Sequence, residues 1–289
     1  MSAGVAGSRP RSASAATLWT GGVLAALSVL VALLAPWIAP YDPTAQELER
    51  RLSPPSADHP LGRDELGRDI LSRLIYGARV SVSVGLSVVV LAALLGAAVG
   101  SVAGFVGGRT DAVLMRVTDA FFAFPGILLA IALVAVLGPA LRHVVVALVA
   151  IGWVGYARLV RGQVLQLREQ EFVMAARAAG VPGRRILGRH VIPNLLPALV
   201  VQASLGMAGA IMAEASLSFL GLGIQAPTPS WGAMINAGRG HLLDAPHLAL
   251  FPGIAILLTV MGLNFLGDGL VDRLDPRLRG ARKGAPDSG

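Results

Sequence analysis

Glu214 is the one ionisable side chain between positions 191 and 238. A carboxylate at membrane depth is costly unless it meets a cavity or a partner, so its placement suggests a polar group on a translocation path, at or near the outer mouth. The blander alternative is a charge that surfaces at a helix end. Asp64, Glu65 and Asp69 offer the hard oxygens a divalent cation takes, but Arg63, Arg68 and Arg73 interleave with them, so internal ion pairing is expected. His143 and His247 have no ligand at metal spacing and read as interfacial residues, as do Trp153 and Trp231. Cysteine is absent, which removes disulfides, thiol catalysis and thiolate metal sites. There is no Gly-x-x-x-x-Gly-Lys-Ser/Thr phosphate loop, and no Ser/His, paired-carboxylate or zinc set gathers on one side. The chain is therefore not expected to be an enzyme or to hydrolyse ATP itself.

The elements that must carry these residues are set by composition. Hydrophobic residues make up 54% of the 289 positions, charged residues only 14%, and mean hydropathy is +0.67, too apolar for a soluble globule of this size. Apolar runs long enough to cross about 30 Å of hydrocarbon fall at 17–38, 80–105, 120–138, 144–160, 195–215 and 248–266. The expected fold is thus an all-α membrane protein of six transmembrane helices, with an apolar re-entrant turn at 217–224. A first run of 30 uncharged residues carrying Pro36 and Pro40 reads as an uncleaved span and not as a signal peptide.

The net charge of +7 does not indicate nucleic acid, because the chain lacks a soluble basic face with interleaved aromatics. With a cytoplasmic N-terminus, 16 Lys/Arg lie inside and eight outside, as the positive-inside rule prefers. Both termini are expected in the cytoplasm. The expected organisation is a disordered N-terminus at 1–16, a first span with external loop at 17–79, a five-span core at 80–272 and a basic tail at 273–289. The loop 41–79 mixes six arginines with seven carboxylates, which suits an ordered external cap running into an amphipathic helix.

Between the fourth and fifth spans, positions 158–193 hold seven of the 24 basic residues. Residues 172–179 include four alanines and no helix breaker, and Gly180 followed by Pro182 supplies a left-handed cap and a stop. A second helix-compatible run follows at 184–191, and Pro193 can start the next span because a first turn tolerates a missing amide hydrogen. Small side chains on the first helix would let another protein surface approach its backbone closely.

This stretch resembles the EAA loop of ABC importer permeases: Glu-Ala-Ala, three residues, Gly, nine residues, then Ile-x-Leu-Pro. Ala175, Ala176, Gly180 and Pro193 fall in register, while Met174, His190 and Ile192 replace the motif's Glu, Ile and Leu. Glu171 lies one turn before the lost glutamate. The resemblance implies a coupling helix, involving Glu171, Ala175, Ala176, Arg177, Gly180 and Pro193, that sits in a cleft of a cytoplasmic ATPase.

Further stretches are similar to dipeptide, oligopeptide and nickel importer permeases. They are the spacing of Gly62, Asp64, Gly67, Arg68, Asp69, Ser72, Arg73, Gly77, Arg79 and Ser81, then Gly107-Gly108 with Asp111, Phe122-Ala-Phe-Pro125, Tyr156-Ala-Arg-Leu-Val-Arg-Gly162, Ser218-Phe-Leu-Gly-Leu-Gly223 and Pro227-Thr-Pro-Ser-Trp-Gly232. The resemblance implies a type I permease fold in the plasma (inner) membrane of a bacterial cell and import of peptides or a small solute such as nickel or glutathione. It further implies a homologous second permease subunit, two ATPase subunits or domains that bind ATP and Mg, and an extracytoplasmic binding protein. The alternative is an ion-gradient-driven secondary transporter, which would call for ionisable groups inside several spans.

Overall fold

The computed structural model describes residues 11–274; of the expected terminal segments, 1–10 and 275–289 lie outside the described residues. Every regular element among those described is helical. Five helices are long and apolar enough to cross a membrane: Ala16–Ile38 within α1 (Arg11–Ile38), α2 (Ile70–Val106), α5 (Leu141–Leu167), Gly183–Phe219, which ends in α8 (Ile192–Phe219), and His247–Arg273 within α10 (His247–Leu274).

The third expected span, 120–138, is not one helix. The chain forms α3 (Gly108–Phe122) and α4 (Gly126–Leu137), bent by 82° between them. Pro125 lacks an amide hydrogen and drives the residue before it out of the helical region, which breaks the run at that point. Twelve residues of α4 reach only about 18 Å. Together with α3 they make up to a sixth span.

The second span starts ten residues earlier than the apolar run suggests. Asp69 caps α2, its Oδ2 accepting from the Ser72 amide and hydroxyl, both at 2.7 Å. The helix then runs 37 residues, about 55 Å, well beyond the hydrocarbon thickness. Its first turns form the base of the ordered cap.

That cap is an ionic network. Asp64 Oδ2 accepts from Arg68 at 2.7 Å and pairs with Arg73 at 3.2 Å, and all three side chains are buried. Arg63 reaches Glu47 at 2.9 Å, and His59 Nδ1 meets Asp69 at 2.8 Å. The carboxylates therefore serve as counter-charges for arginines, as the interleaving indicates. Ahead of the network the Thr44 hydroxyl and amide donate to Asp42 and hold its carboxyl below the usual range.

Helix association rests on small residues, since apolar contact alone gives no advantage between helices in lipid. Gly96, Gly100 and Gly104 recur every fourth position on α2 and face α5 so closely that a Cβ at Gly96 would lie 2.5 Å from the Trp153 carbonyl. Gly21, Gly262 and Gly269 play the same part between α1 and α10. Trp153 and Trp231, expected as interfacial anchors, are enclosed in the helix packing. Trp153 meets Phe121 edge-on with centroids 5.6 Å apart, and Trp231 donates to the Leu74 carbonyl at 3.0 Å.

Candidate functional site

The first ten residues of the expected 158–193 loop continue α5 to Leu167; the chain then forms α6 (Glu171–Ala178), turns, and returns through α7 (Gly183–Ile186) into a π-helical turn at Leu187–Val191 that feeds α8. Gly180 has φ +76°. The amide of Val181 donates to the Ala176 carbonyl at 3.1 Å and that of Gly180 to Arg177 at 2.9 Å. This pair of bonds is a Schellman cap, which needs the left-handed residue that glycine supplies without strain. Pro193 stands on the first turn of α8, outside the hairpin. The wider turn before it accommodates a residue that cannot donate to the carbonyl four positions back.

One face of the hairpin is fixed. Val173 and Ile186 are fully buried with Val160, Val164, Val191 and Leu195, and Phe105 at the end of α2 closes the cluster. The opposite face is open: Glu171, Phe172, Met174, Ala175, Arg177 and Gly180 are exposed, and Ala176 is half-buried. Arg177 holds its guanidinium 5.5 Å from the Phe105 ring centroid. Arg184, Arg185 and Arg189 are exposed on the returning helical limb of the hairpin. The result is a short helix anchored on one face, its second half rich in alanine and its first turn showing Phe172 and Met174, with a basic neighbour, presented at the end of α2 opposite the ionic cap.

A second feature is an opening of about 300 Å³ between α2, α4, α5 and α8. Its lining carries no charge; Tyr156 and Gln202 are the polar side chains, and Gly126, Gly152, Gly206 and Gly209 leave backbone accessible. The Tyr156 hydroxyl donates to the Gln202 carbonyl at 3.4 Å. Tyr156 belongs to a stretch already marked in the sequence, whereas Gln202 is marked there only by the helical spacing of Gln202, Gly206, Gly209 and Ala213 on α8.

Glu214 occupies neither of the two settings its sequence context suggests. It is fully enclosed, does not line the opening and does not surface at the end of α8. Its two oxygens accept from Ser81 of α2 at 3.0 Å and Ser218 of α8 at 2.7 Å. Ser230, which caps α9 (Trp231–Gly238), lies 3.4 Å from the Ser218 hydroxyl. A hydroxyl nest thus joins three helices around the acid. Among the described residues no three His, Asp or Glu side chains are grouped so as to hold a metal ion.

Residues 96–280, which include the hairpin, most of the opening and Glu214, match the family described as the binding-protein-dependent transport system inner membrane component. The chain belongs to this family. Residues 17–55 match the N-terminal transmembrane domain of oligopeptide transport permease C. Among relatives, the glutathione transport system permease protein GsiD of Shigella flexneri serotype 5b is 47% identical over 262 residues, covering 90% of this chain and 86% of that protein. GsiD of Escherichia coli O6:K15:H31 is 46% identical over the same shares. The probable D,D-dipeptide transport system permease protein DdpC of Escherichia coli K12 is 43% identical over 261 residues, covering 90% and 88%. The chain is accordingly a multi-pass permease subunit of an ABC importer of the inner membrane, a transport component and not itself a catalyst.

Proposed function

We propose that this permease forms half of the path by which an ABC importer takes up small peptides, with glutathione among them, and that the hairpin at 158–193 docks on a cytoplasmic ATPase. The observation that carries the coupling part is the hairpin itself, a short helix ending in an alanine-rich turn, anchored to the ends of α2, α5 and α8 and exposed on its other face. The substrate class rests on the names of the relatives. ATP and Mg bind to the ATPase partner. A homologous second permease supplies the other half of the path, two ATPase subunits or domains sit beneath, and an extracytoplasmic binding protein delivers substrate. Both termini are cytoplasmic, as the 16-to-eight division of basic residues favours. Coupling requires that ATP bind one conformation better than the other and that the hairpin convey this preference to the spans.

The test uses the native absence of cysteine. A cysteine at Arg177 or Ala179 should form a disulfide with the ATPase in reconstituted complex, to an extent that changes with nucleotide. Ala176→Glu blocks close approach, and Gly180→Val places a β-branched residue at a left-handed cap, a strain of about 1–3 kcal/mol. Both variants should insert normally and lose uptake of labelled dipeptide and glutathione. Full uptake by both, with no capture of an ATPase in any nucleotide state, would refute the proposal.

A further inference from the structure

Three sequence stretches outside the α6–α7 turn of the hairpin come together in space. They are Gly107-Gly108 with Asp111, Phe122-Ala-Phe-Pro125, and Tyr156-Ala-Arg-Leu-Val-Arg-Gly162. Asp111 of α3 receives a two-pronged bond from Arg161 of α5, at 2.5 Å and 2.6 Å. Two turns further along α3, Asp119 receives Arg158 at 2.7 Å. The Arg158 guanidinium also lies 4.0 Å from the Phe122 ring centroid. Phe121 packs on Trp153, one turn and a half back along α5 from Arg158. Both carboxylates of α3 are thus spent on arginines of α5, at sequence separations of 39 and 50 residues.

Position gives this ladder its meaning. Beyond Arg161, α5 continues without a break to Leu167 and, after three residues, enters α6 of the docking hairpin. Arg168, at the joint, donates to the Gly104 carbonyl of α2 at 3.0 Å. At its other end α3 turns through 82° into α4, whose Gly126, Ile127 and Ala130 line the opening. Fork-to-fork Arg–carboxylate bonds fix relative orientation as well as distance, unlike apolar contacts, which can slide.

We propose that Asp111–Arg161, assisted by Asp119–Arg158, makes α3 a transmission arm: displacement of the hairpin and α5 is carried through α3 and its bend to the groove wall on α4. These are positioning residues that touch neither nucleotide nor substrate. The inference rests on the coupling role proposed for the hairpin and adds the link between hairpin and path. A connection of this kind is established by showing that both ends bias one element, and spatial continuity alone does not establish it.

The experiment places a single cysteine at Ile127, which is 43% exposed, in the reconstituted importer, and follows its reaction with a thiol reagent with and without nucleotide. Capture of the ATPase by a cysteine at Arg177 runs in parallel. In the otherwise native chain the Ile127→Cys rate should change with nucleotide. In Asp111→Asn, Arg161→Gln and the double variant that response should vanish and uptake per ATP hydrolysed should fall about tenfold, within the range of ordinary coupling energies. The double variant should be no worse than either single one, since both break the same link. Asp111→Glu, which keeps the charge, should recover most of the ratio. ATPase capture should persist throughout. If a variant fails to assemble, Asp119→Asn and Arg158→Gln, at the more exposed pair, report the same link with a smaller loss. A nucleotide response at position 127 that survives loss of Asp111–Arg161, or is absent from the native chain while capture succeeds, overturns the inference. Failure of capture in the native chain refutes instead the coupling role of the hairpin.

Discussion

The glycine stripe on α2 makes a quantitative prediction about what holds the permease together. A methyl group at Gly96 would lie 2.5 Å from both the Trp153 carbonyl and the Tyr156 Cβ, and 2.8 Å from the Ala157 amide. Ordinary contact begins near 3.4 Å, so α2 and α5 must part by nearly 1 Å along a packed interface whose atoms are mostly backbone. Overpacking of this kind costs about 1–3 kcal/mol. The helix-propensity gain of Ala over Gly, about 1 kcal/mol in water, offsets little of this, because spans stay helical in lipid even when they separate. Gly152→Ala, on the α5 side of the same interface, is the matched control: its Cβ would meet Ala92 at an ordinary 3.4 Å. Thermal unfolding of the two purified complexes in mild detergent should show Gly96→Ala melting lower, by about 2–4 °C per kcal/mol lost, and Gly152→Ala near the native midpoint. Equal midpoints for the two variants would refute the reading of Gly96, Gly100 and Gly104 as a close-approach seam.

The hydroxyl nest predicts that Ser218→Ala, which leaves one oxygen of an enclosed Glu214 without its donor, destabilises by about 1–3 kcal/mol; exposed Ser216→Ala should stay within about 0.5 kcal/mol in the same melt. In the cap, Asp64→Asn deprives buried Arg68 and Arg73 of their counter-charge and should cost about 3–5 kcal/mol, the range for breaking a buried ion pair. Topology is checked with cysteines at Ser56 and Ser288 and an impermeant thiol reagent on intact cells: label at position 56 and none at 288 is expected, and the reverse would overturn the orientation.

The parts legible in the sequence are those set by short-range chemistry. The hairpin could be read because an alanine run and a Gly-x-Pro stop are decided within ten residues, and Gly180 takes the left-handed conformation that its place requires. The arginine-for-carboxylate pairing in the cap was legible for the same reason, the partners of Asp64 being four and nine residues away. What escaped depends on distant partners. Arg109, Asp111, Arg116 and Asp119 read as a loop because their charges interrupt an apolar run, whereas Arg158 and Arg161, far along the chain, let that segment lie against α5 as a helix. Glu214 reads as a residue of the path because its nearest long-range donor, Ser81, is 133 residues away. Pro125 was visible, but not whether the chain would kink or turn there; the 82° bend is set by how α3 and α4 each pack on α5.

The distribution of polarity bears on where selectivity resides. Arg63, Asp64, Arg68, Asp69 and Arg73 are tied up in the cap, Glu214 in its hydroxyl nest, and Asp111, Asp119, Arg158 and Arg161 between α3 and α5. The opening is left with a phenol, a carboxamide and four glycines. A peptide carries a charge at each end, and desolvating an unpaired charge is expensive. A groove wall with no counter-charge therefore cannot bind such a solute tightly, though the amide of Gln202, the Tyr156 hydroxyl and exposed backbone can form passing hydrogen bonds with it. On the proposed function, with the opening on the path, weak and replaceable contacts would suit a route that must release what it admits, and would leave discrimination among peptides to the proposed binding protein. On this reading the relatives can share the permease architecture while their names record different cargoes, and substitutions at Tyr156 or Gln202 should alter the rate of uptake far more than its specificity.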